Sequence, residues 1–252
     1  MSSKKFARLI APNDASITTW LTAGALFQLL SISVFPRTLS VLLPITYAIY
    51  RLAKAVKDSR SVYTGTFTSV KRGRWTAQLP APGSTEPRGI VCFVLGARFN
   101  HPLGKAAPGV IGIAGALQQM WTEAEENREK WGFLGRTSTL IDISDGEATS
   151  MAWLSYWNDM EGLQKFSESS VHRLGQTEYI GNKYPYIGIM HETFKAPEGC
   201  WETIYLNMPP WGLGKSKPLG KDKGDATEDE NILQRVLRPE QENMYRRMRG
   251  KM

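Results

Sequence analysis

Hydrophobic and polar positions change their rhythm three times along the chain. Ile17 to Phe35 form an uncharged run, ITTWLTAGALFQLLSISVF, whose one strongly polar side chain is Gln28. As a helix rising about 1.5 Å per residue, a run of this length just spans a hydrocarbon core of about 30 Å. Pro36 and Arg37 break it. A second apolar stretch, Thr38 to Tyr50, contains Pro44 and ends at Arg51, and is short for a full crossing. A helical hairpin, one span with an interfacial segment, a cleaved signal and a buried hairpin of a soluble protein all remain open. The long run and the lack of a small-residue cleavage site argue against the signal. Lys4, Lys5 and Arg8 precede the runs, and Arg51, Lys54 and Lys57 follow them. Placing both basic flanks in the cytoplasm favours the hairpin.

The middle of the chain alternates between periods of two and 3.6. Residues 59–69 are rich in Ser, Thr and Gly, and 81–88 form a Pro/Gly/Ser loop. Ile90 to Asn100 predicts a strand, with Val91, Phe93, Leu95, Ala97 and Phe99 as a uniformly apolar row expected to meet helices. From about Pro108 to Lys130, Val110, Ile113, Leu117, Met120, Trp121 and Ala124 make one helical stripe. Two β-rich runs follow, Arg136 to Ile143 and Thr149 to Trp157, joined through Asp145-Gly146 as a hairpin. Asn158 is expected to cap a helix over Asp159 to Glu168, with more helix from Val171 to Tyr179. Tyr186 to Lys195 predicts the next strand and Trp201 to Asn207 a further one. The order β-α-β-β-α-β is the split βαβ pattern of ferredoxin-like α+β domains. Four such strands bury one face against two helices and leave the other open.

The expected division is therefore a basic segment and membrane hairpin over 1–58, a linker with edge strands over 59–89, the α+β domain over 70–213 and a tail over 214–252. That tail is polar and charged and is expected to be mobile, with a short charged helix over Ile232 to Met248 as the alternative.

Composition narrows the chemistry. The 252 residues carry a net charge of +7 and are 42% hydrophobic. The basic excess sits near the two ends rather than in a stripe interleaved with aromatics. This argues against nucleic acid and for an anionic membrane surface. Cys92 and Cys200 have no CxxC or Cys–His spacing, so neither a disulfide framework nor a zinc site is expected. No dinucleotide glycine fingerprint, P-loop or HExxH occurs.

The segment Gly188 to Leu213 resembles a monooxygenase-like family of bacterial and fungal proteins built on the dimeric α+β barrel. The shared elements are His191-Glu192-Thr193-Phe194, Gly199, Glu202, Ile204-Tyr205, Asn207-Met208-Pro209 and Gly212-Leu213. Gly73-Arg74-Trp75-Thr76-Ala77 and Gly132-Phe133-Leu134-Gly135 fit the same family, and the resemblance covers residues 70–213. It implies a homodimeric barrel with an internal pocket. It also implies likeness to antibiotic-biosynthesis monooxygenases, haem-degrading oxygenases and haem-containing aldoxime dehydratases. The first two groups often use an Asn on the first strand, a Trp on the third and a His on the next helix. Asn100, Trp157 and His172 stand in comparable places, within Trp157-x-x-x-Glu161-x-Leu163-x-x-Phe166-x-x-Ser169-x-x-His172.

These residues suggest a mechanism. An oxygenase working without a cofactor must make its substrate electron-rich, and His172 is the base expected to take a phenolic or enolic proton. Asn100 or Arg98 would stabilise the resulting anion, and Trp157 would wall a flat substrate. The competing structural roles are a strand-end Asn100, a core Trp157 and an exposed His172. His191 shares a strand face with Ile187, Ile189 and Thr193 and is either a pocket or a core residue. No cofactor is expected. If haem binds, His172 or His191 is the axial-ligand candidate. The expected whole is a membrane-tethered enzyme, at the endoplasmic reticulum with its barrel facing the cytosol. It oxidises a hydrophobic, ring-containing metabolite of a fungal natural-product pathway. A cyclase, isomerase or dehydratase in the same pocket and a non-catalytic lipophile-binding protein are the alternatives.

Overall fold

The computed structural model describes residues 17–64, 71–77, 89–142, 148–182, 184–197, 200–217, 219 and 233–235. The expected Asp145-Gly146 turn and the charged helix after Arg235 lie outside them.

Two helices open the described chain, α1 (Ile17–Val34) and α2 (Arg37–Thr64). Pro36 separates them, since it cannot donate the hydrogen bond that would continue α1. Both are long and apolar enough to cross a membrane, and α1 buries none of its residues. They meet through polar groups: Gln28 Nε2 donates to the Ser40 carbonyl at 3.0 Å, and Ser40 Oγ donates to the Ser31 carbonyl at 2.9 Å. Ser40 is 2% exposed in an otherwise bare pair of helices. The second helix does not stop at Tyr50 as the apolar run suggested. It continues through Arg51, Lys54 and Lys57 into the first residues of the expected linker.

The α+β domain is built on strands β2 (Ile90–Phe99), β3 (Phe133–Arg136), β4 (Leu140–Asp142), β5 (Thr149–Trp157) and β6 (Ile187–Ala196). Their order is β3-β5-β2-β6, with β4 also on β5, and every pairing is antiparallel. This is the order that split βαβ units produce when each crossover skips one strand. The expected strand over 136–143 is two short pieces, Phe133–Arg136 and Leu140–Asp142, the first carrying a register shift on β5 between Phe133 and Gly135, where Gly135 has a positive φ. Helices α3 (Val110–Glu126) and α4 (Arg128–Trp131) replace the single expected helix, the break falling at Asn127. Gly132, at φ 64°, then turns the chain into β3.

Helix α5 (Met160–Ser167) follows β5, but its cap is Asp159 rather than Asn158. The Asp159 carboxylate accepts from Gly162 N at 2.7 Å, and that bond leads the effects holding its pKa below the usual range. Asn158 instead donates its backbone N–H to the Gly132 carbonyl at 2.7 Å, tying the end of β5 to the entry of β3. Helix α6 (Ser170–Asn182) leads into β6.

The row Val91, Phe93, Leu95, Ala97 and Phe99 packs toward the helices as expected, in one core with Trp121, Phe133, Trp153, Trp157 and Phe166. The opposite face is only partly covered. A small second sheet of β7 (Tyr205–Met208), β1 (Lys71–Ala77) and β8 (Leu233–Arg235) supplies a second cluster, in which Ala77, Leu213 and Tyr205 pack with Ile90 and Tyr156. Strand β8 is a departure from the expected mobile tail, because residues 233–235 pair with β1. Beyond this cover, Met190 and Phe194 stay 48% and 54% exposed on the sheet.

The Tyr205–Leu213 part of the resemblance block finds its explanation in this second cluster. Tyr205 Oη donates to the Trp211 carbonyl and accepts from Gly214 N, both at 2.8 Å. Asn207 adopts φ 49°, and its Oδ1 accepts from Gly73 N at 3.0 Å. These bonds lock the chain after β7 onto β1. Burial pushes the Tyr156 phenol up to about 12, which keeps its hydroxyl protonated beside this turn.

Candidate active site

Between the helix-facing side of the sheet and helices α3, α5 and α6 lies a cavity of about 730 Å³. It is within the size range of small-molecule sites. Its floor is the strand row Phe93, Leu95 and Ala97 with Trp153 and Trp157 from β5. Leu117, Met120 and Trp121 of α3 and Leu163 and Phe166 of α5 close the far side. Among the described residues, no Asp, Glu, Lys or Arg lines it. Polar groups are gathered at one edge: Gln164 and Ser167 at the end of α5, His172 and Gln176 on α6, and His191 and Thr193 across on β6.

His172 reaches this edge because α6 begins just before it. Ser169 Oγ accepts from the His172 backbone N–H at 3.3 Å, an N-cap bond that fixes the first turn. The imidazole stands edge-on to Phe166 at 6.2 Å between ring centroids. Its Nδ1 is buried and has no hydrogen-bond partner among the described residues. Burial chiefly holds its pKa below the ordinary 6.5; the Ser167 backbone pulls upward and His191 pushes it further down. A ring of this kind is neutral near pH 7 and ready to accept a proton.

His191 pairs in register with Leu95, which aims its side chain at the cavity side of the sheet, where it stacks on Phe93 at 5.6 Å and 27°. Trp157 is 1% exposed, wedged against Phe133 and Phe166 at 5.0 and 5.1 Å. Its Nε1 donates to Ser155 Oγ at 3.0 Å, and Ser155 Oγ donates on to the Phe93 carbonyl at 3.1 Å. Trp157 therefore contributes a fixed aromatic wall whose one polar atom is already used.

Arg98 and Asn100 are not part of this arrangement. They fall in the other row of β2, in register with Ser150 and at the strand end. Arg98 Nε donates to Asn100 Oδ1 at 2.6 Å, and its Nη1 donates to Ser150 Oγ at 3.0 Å. The expected pairing of either residue with His172 across one pocket is corrected by the two-residue period of the strand. His101 is likewise a loop residue, accepting from Leu103 N at 3.1 Å and leaning on Tyr186.

The spacing of the motif that runs from Trp157 to His172 now has a physical reading. Trp157, Phe166 and His172 form a chain of ring contacts. Leu163 is core, Ser169 is the cap, and Glu161 faces solvent with Lys165 at 2.6 Å. Sequence reasoning missed Gln176 and Tyr179. The signal was present, since positions 172, 175, 176, 179 and 180 share one helical face, but it is legible only once His172 is placed at the cavity. Haem fits this lining poorly, because the described lining residues offer no basic side chain for its carboxylates.

Comparison with known proteins gives the domain its relatives. Monooxygenase af470 of Aspergillus fumigatus is 28% identical over 224 residues, spanning 86% of this chain and 81% of the relative. Among solved structures, SnoaB of Streptomyces nogalater, a cofactor-independent oxygenase, shares 15% identity over 44% of this chain and 95% of its own, with a TM-score of 0.32. An aldoxime dehydratase, OxdRE with butyraldoxime, shares 14% over 56% of this chain and 40% of its own, with a TM-score of 0.36. Likeness at that level carries no chemistry across. The family signal is firmer: residues 90–213, the described sheet with its two helical crossovers and the turn after β7, match the model of one family. The domain that holds the cavity matches the model of the Monooxygenase af470-like family.

Proposed function

We propose that the chain is a membrane-tethered oxygenase that acts on a neutral, ring-containing hydrophobic molecule without a nucleotide, haem or metal cofactor. The observation that carries this reading is a cavity walled by aromatic and aliphatic side chains, free of charged residues among those described, with a half-buried His172 at its polar edge. A charged ligand would lose its hydration there with no counter-ion. A flat apolar ligand gains contact with Phe93, Trp153 and Trp157.

The chemistry follows from His172. The neutral imidazole takes a phenolic or enolic proton, and the electron-rich anion reduces molecular oxygen, which is the co-substrate. A carbon bearing two hydrogens becomes a carbonyl, one oxygen atom enters the product and the other leaves as water with the two hydrogens. No outside reductant is needed, since the substrate supplies both electron pairs. The test is oxygen uptake by the detergent-purified chain over a panel of polycyclic phenols. Wild-type uptake that falls by about 10²–10⁴ in His172→Ala supports the base assignment. Product formed in strictly anaerobic buffer would favour a cyclase, isomerase or dehydratase instead.

The two N-terminal helices support tethering by length and apolarity, and the Gln28–Ser40 and Ser40–Ser31 bonds support a hairpin with both ends on one side. The flanking basic residues support a cytosolic orientation of the catalytic domain, as expected of an endoplasmic reticulum protein of a natural-product pathway. Exposed Met190 and Phe194 on the open sheet support a homodimer that covers this face, which sedimentation in detergent would read as twice the chain mass.

A further inference from the structure

Building on the cavity reading, the geometry points to Gln176 as the residue that positions the substrate oxygen beside His172, its side-chain amide donating to the oxygen as charge develops there. The mechanism requires a donor near the base, and the residues that sequence reasoning offered, Arg98 and Asn100, are bonded to each other on the other side of the sheet. Gln176 lies four residues after His172 on α6, and both line the cavity. Residues so spaced sit on one helical face with Cβ atoms about 5–6 Å apart. An oxygen between them can give its proton to the His172 imidazole and keep a hydrogen bond from the amide.

His191 and Thr193 stand across on β6 rather than on the helical face of His172, and several other donors are committed elsewhere. Tyr179 Oη, one turn further on, donates to the Ile187 carbonyl at 2.9 Å. Trp157 Nε1 is held by Ser155, and Trp153 Nε1 by Thr139 Oγ1 at 3.0 Å. Gln164 Nε2 leans toward Glu168 at 3.4 Å. The Gln176 side chain makes no hydrogen bond to another described residue. A neutral amide can stabilise a developing anion without placing a charge at a cavity whose described lining carries none. The ligand class that follows is an apolar ring system with one acidic hydroxyl or enolisable carbonyl at its polar end.

The experiment uses two probes on the full detergent-purified chain. Naphthalene reports the apolar cavity, and 4-nitro-1-naphthol reports ionisation of a bound hydroxyl through the visible absorbance of its anion. Gln176→Leu and Gln176→Glu, which is isosteric but lacks the donor, are compared with wild type. Both variants should bind naphthalene as wild type does, while the bound naphthol ionises about tenfold less readily in the Leu variant and less still in the Glu variant. Unchanged ionisation in a variant that binds naphthalene overturns the role of Gln176 and leaves the cavity reading standing. Loss of naphthalene binding in both variants makes Gln176 a structural residue and also overturns it. Wild-type protein that binds neither probe refutes the cavity reading, and the inference with it.

Discussion

Trp157 decides between a catalytic and a structural use of the same side chain, and Trp157→Phe separates them. The replacement keeps an aromatic ring on the cavity floor but removes the Nε1–H that donates to Ser155. Ser155 Oγ keeps its bond to the Phe93 carbonyl, so the serine is not left an unpaired donor. Losing one net hydrogen bond costs about 1 kcal/mol. Truncation of a buried Trp to Ala costs about 3–5 kcal/mol, and Phe removes about a third of those atoms, adding roughly 1–1.7 kcal/mol for the space opened between Phe133 and Phe166. The sum is about 2–3 kcal/mol. In a domain of this size each kcal/mol moves the midpoint by about 2–4 °C, so thermal unfolding followed by near-ultraviolet circular dichroism should shift down by about 5–10 °C. Oxygen uptake below the transition should stay within a few-fold of wild type. An unshifted midpoint with uptake reduced by about 10² or more would refute the structural reading and return Trp157 to the reacting groups.

The pH dependence follows from His172. Its pKa is held below 6.5 chiefly by burial, so the catalytic neutral form persists as pH falls until the lowered value is reached. The acid limb of kcat/KM should therefore lie below pH 6.5, and a limb above that value would contradict the assignment. Stability carries the same sign: the unfolded ring binds a proton first, so this contribution is present above 6.5 and lost as pH falls through the folded pKa. Gly212→Ala should destabilise by about 1–3 kcal/mol, because φ is 54° and a new Cβ would stand 2.9 Å from Tyr156 Oη. Denaturant unfolding with an unchanged midpoint would show that the turn after β7 tolerates a side chain.

Local periodicity determined much of this protein. The alternation in Ile90–Phe99 fixed which row meets the helices, because a strand turns successive side chains to opposite faces whatever surrounds it. The order of elements likewise determined the split βαβ unit, and the uncharged run before Pro36 determined a helix long enough to cross a bilayer. Partnership over distance was decided only in the folded chain. That Ser40 meets Gln28 and Ser31, that residues 233–235 return to β1, and that Asp159 rather than Asn158 caps α5 depend on backbone geometry no spacing encodes. The candidate site divides in the same way. His172, His191 and Trp157 share one cavity because their strands and helix bring them to one side of the sheet, whereas Arg98 and Asn100 are turned away by a shift of a single residue along β2, into its other row. Residue types suggested the chemistry. Which of them stand on the same side of the sheet was settled by strand register and by where α6 begins.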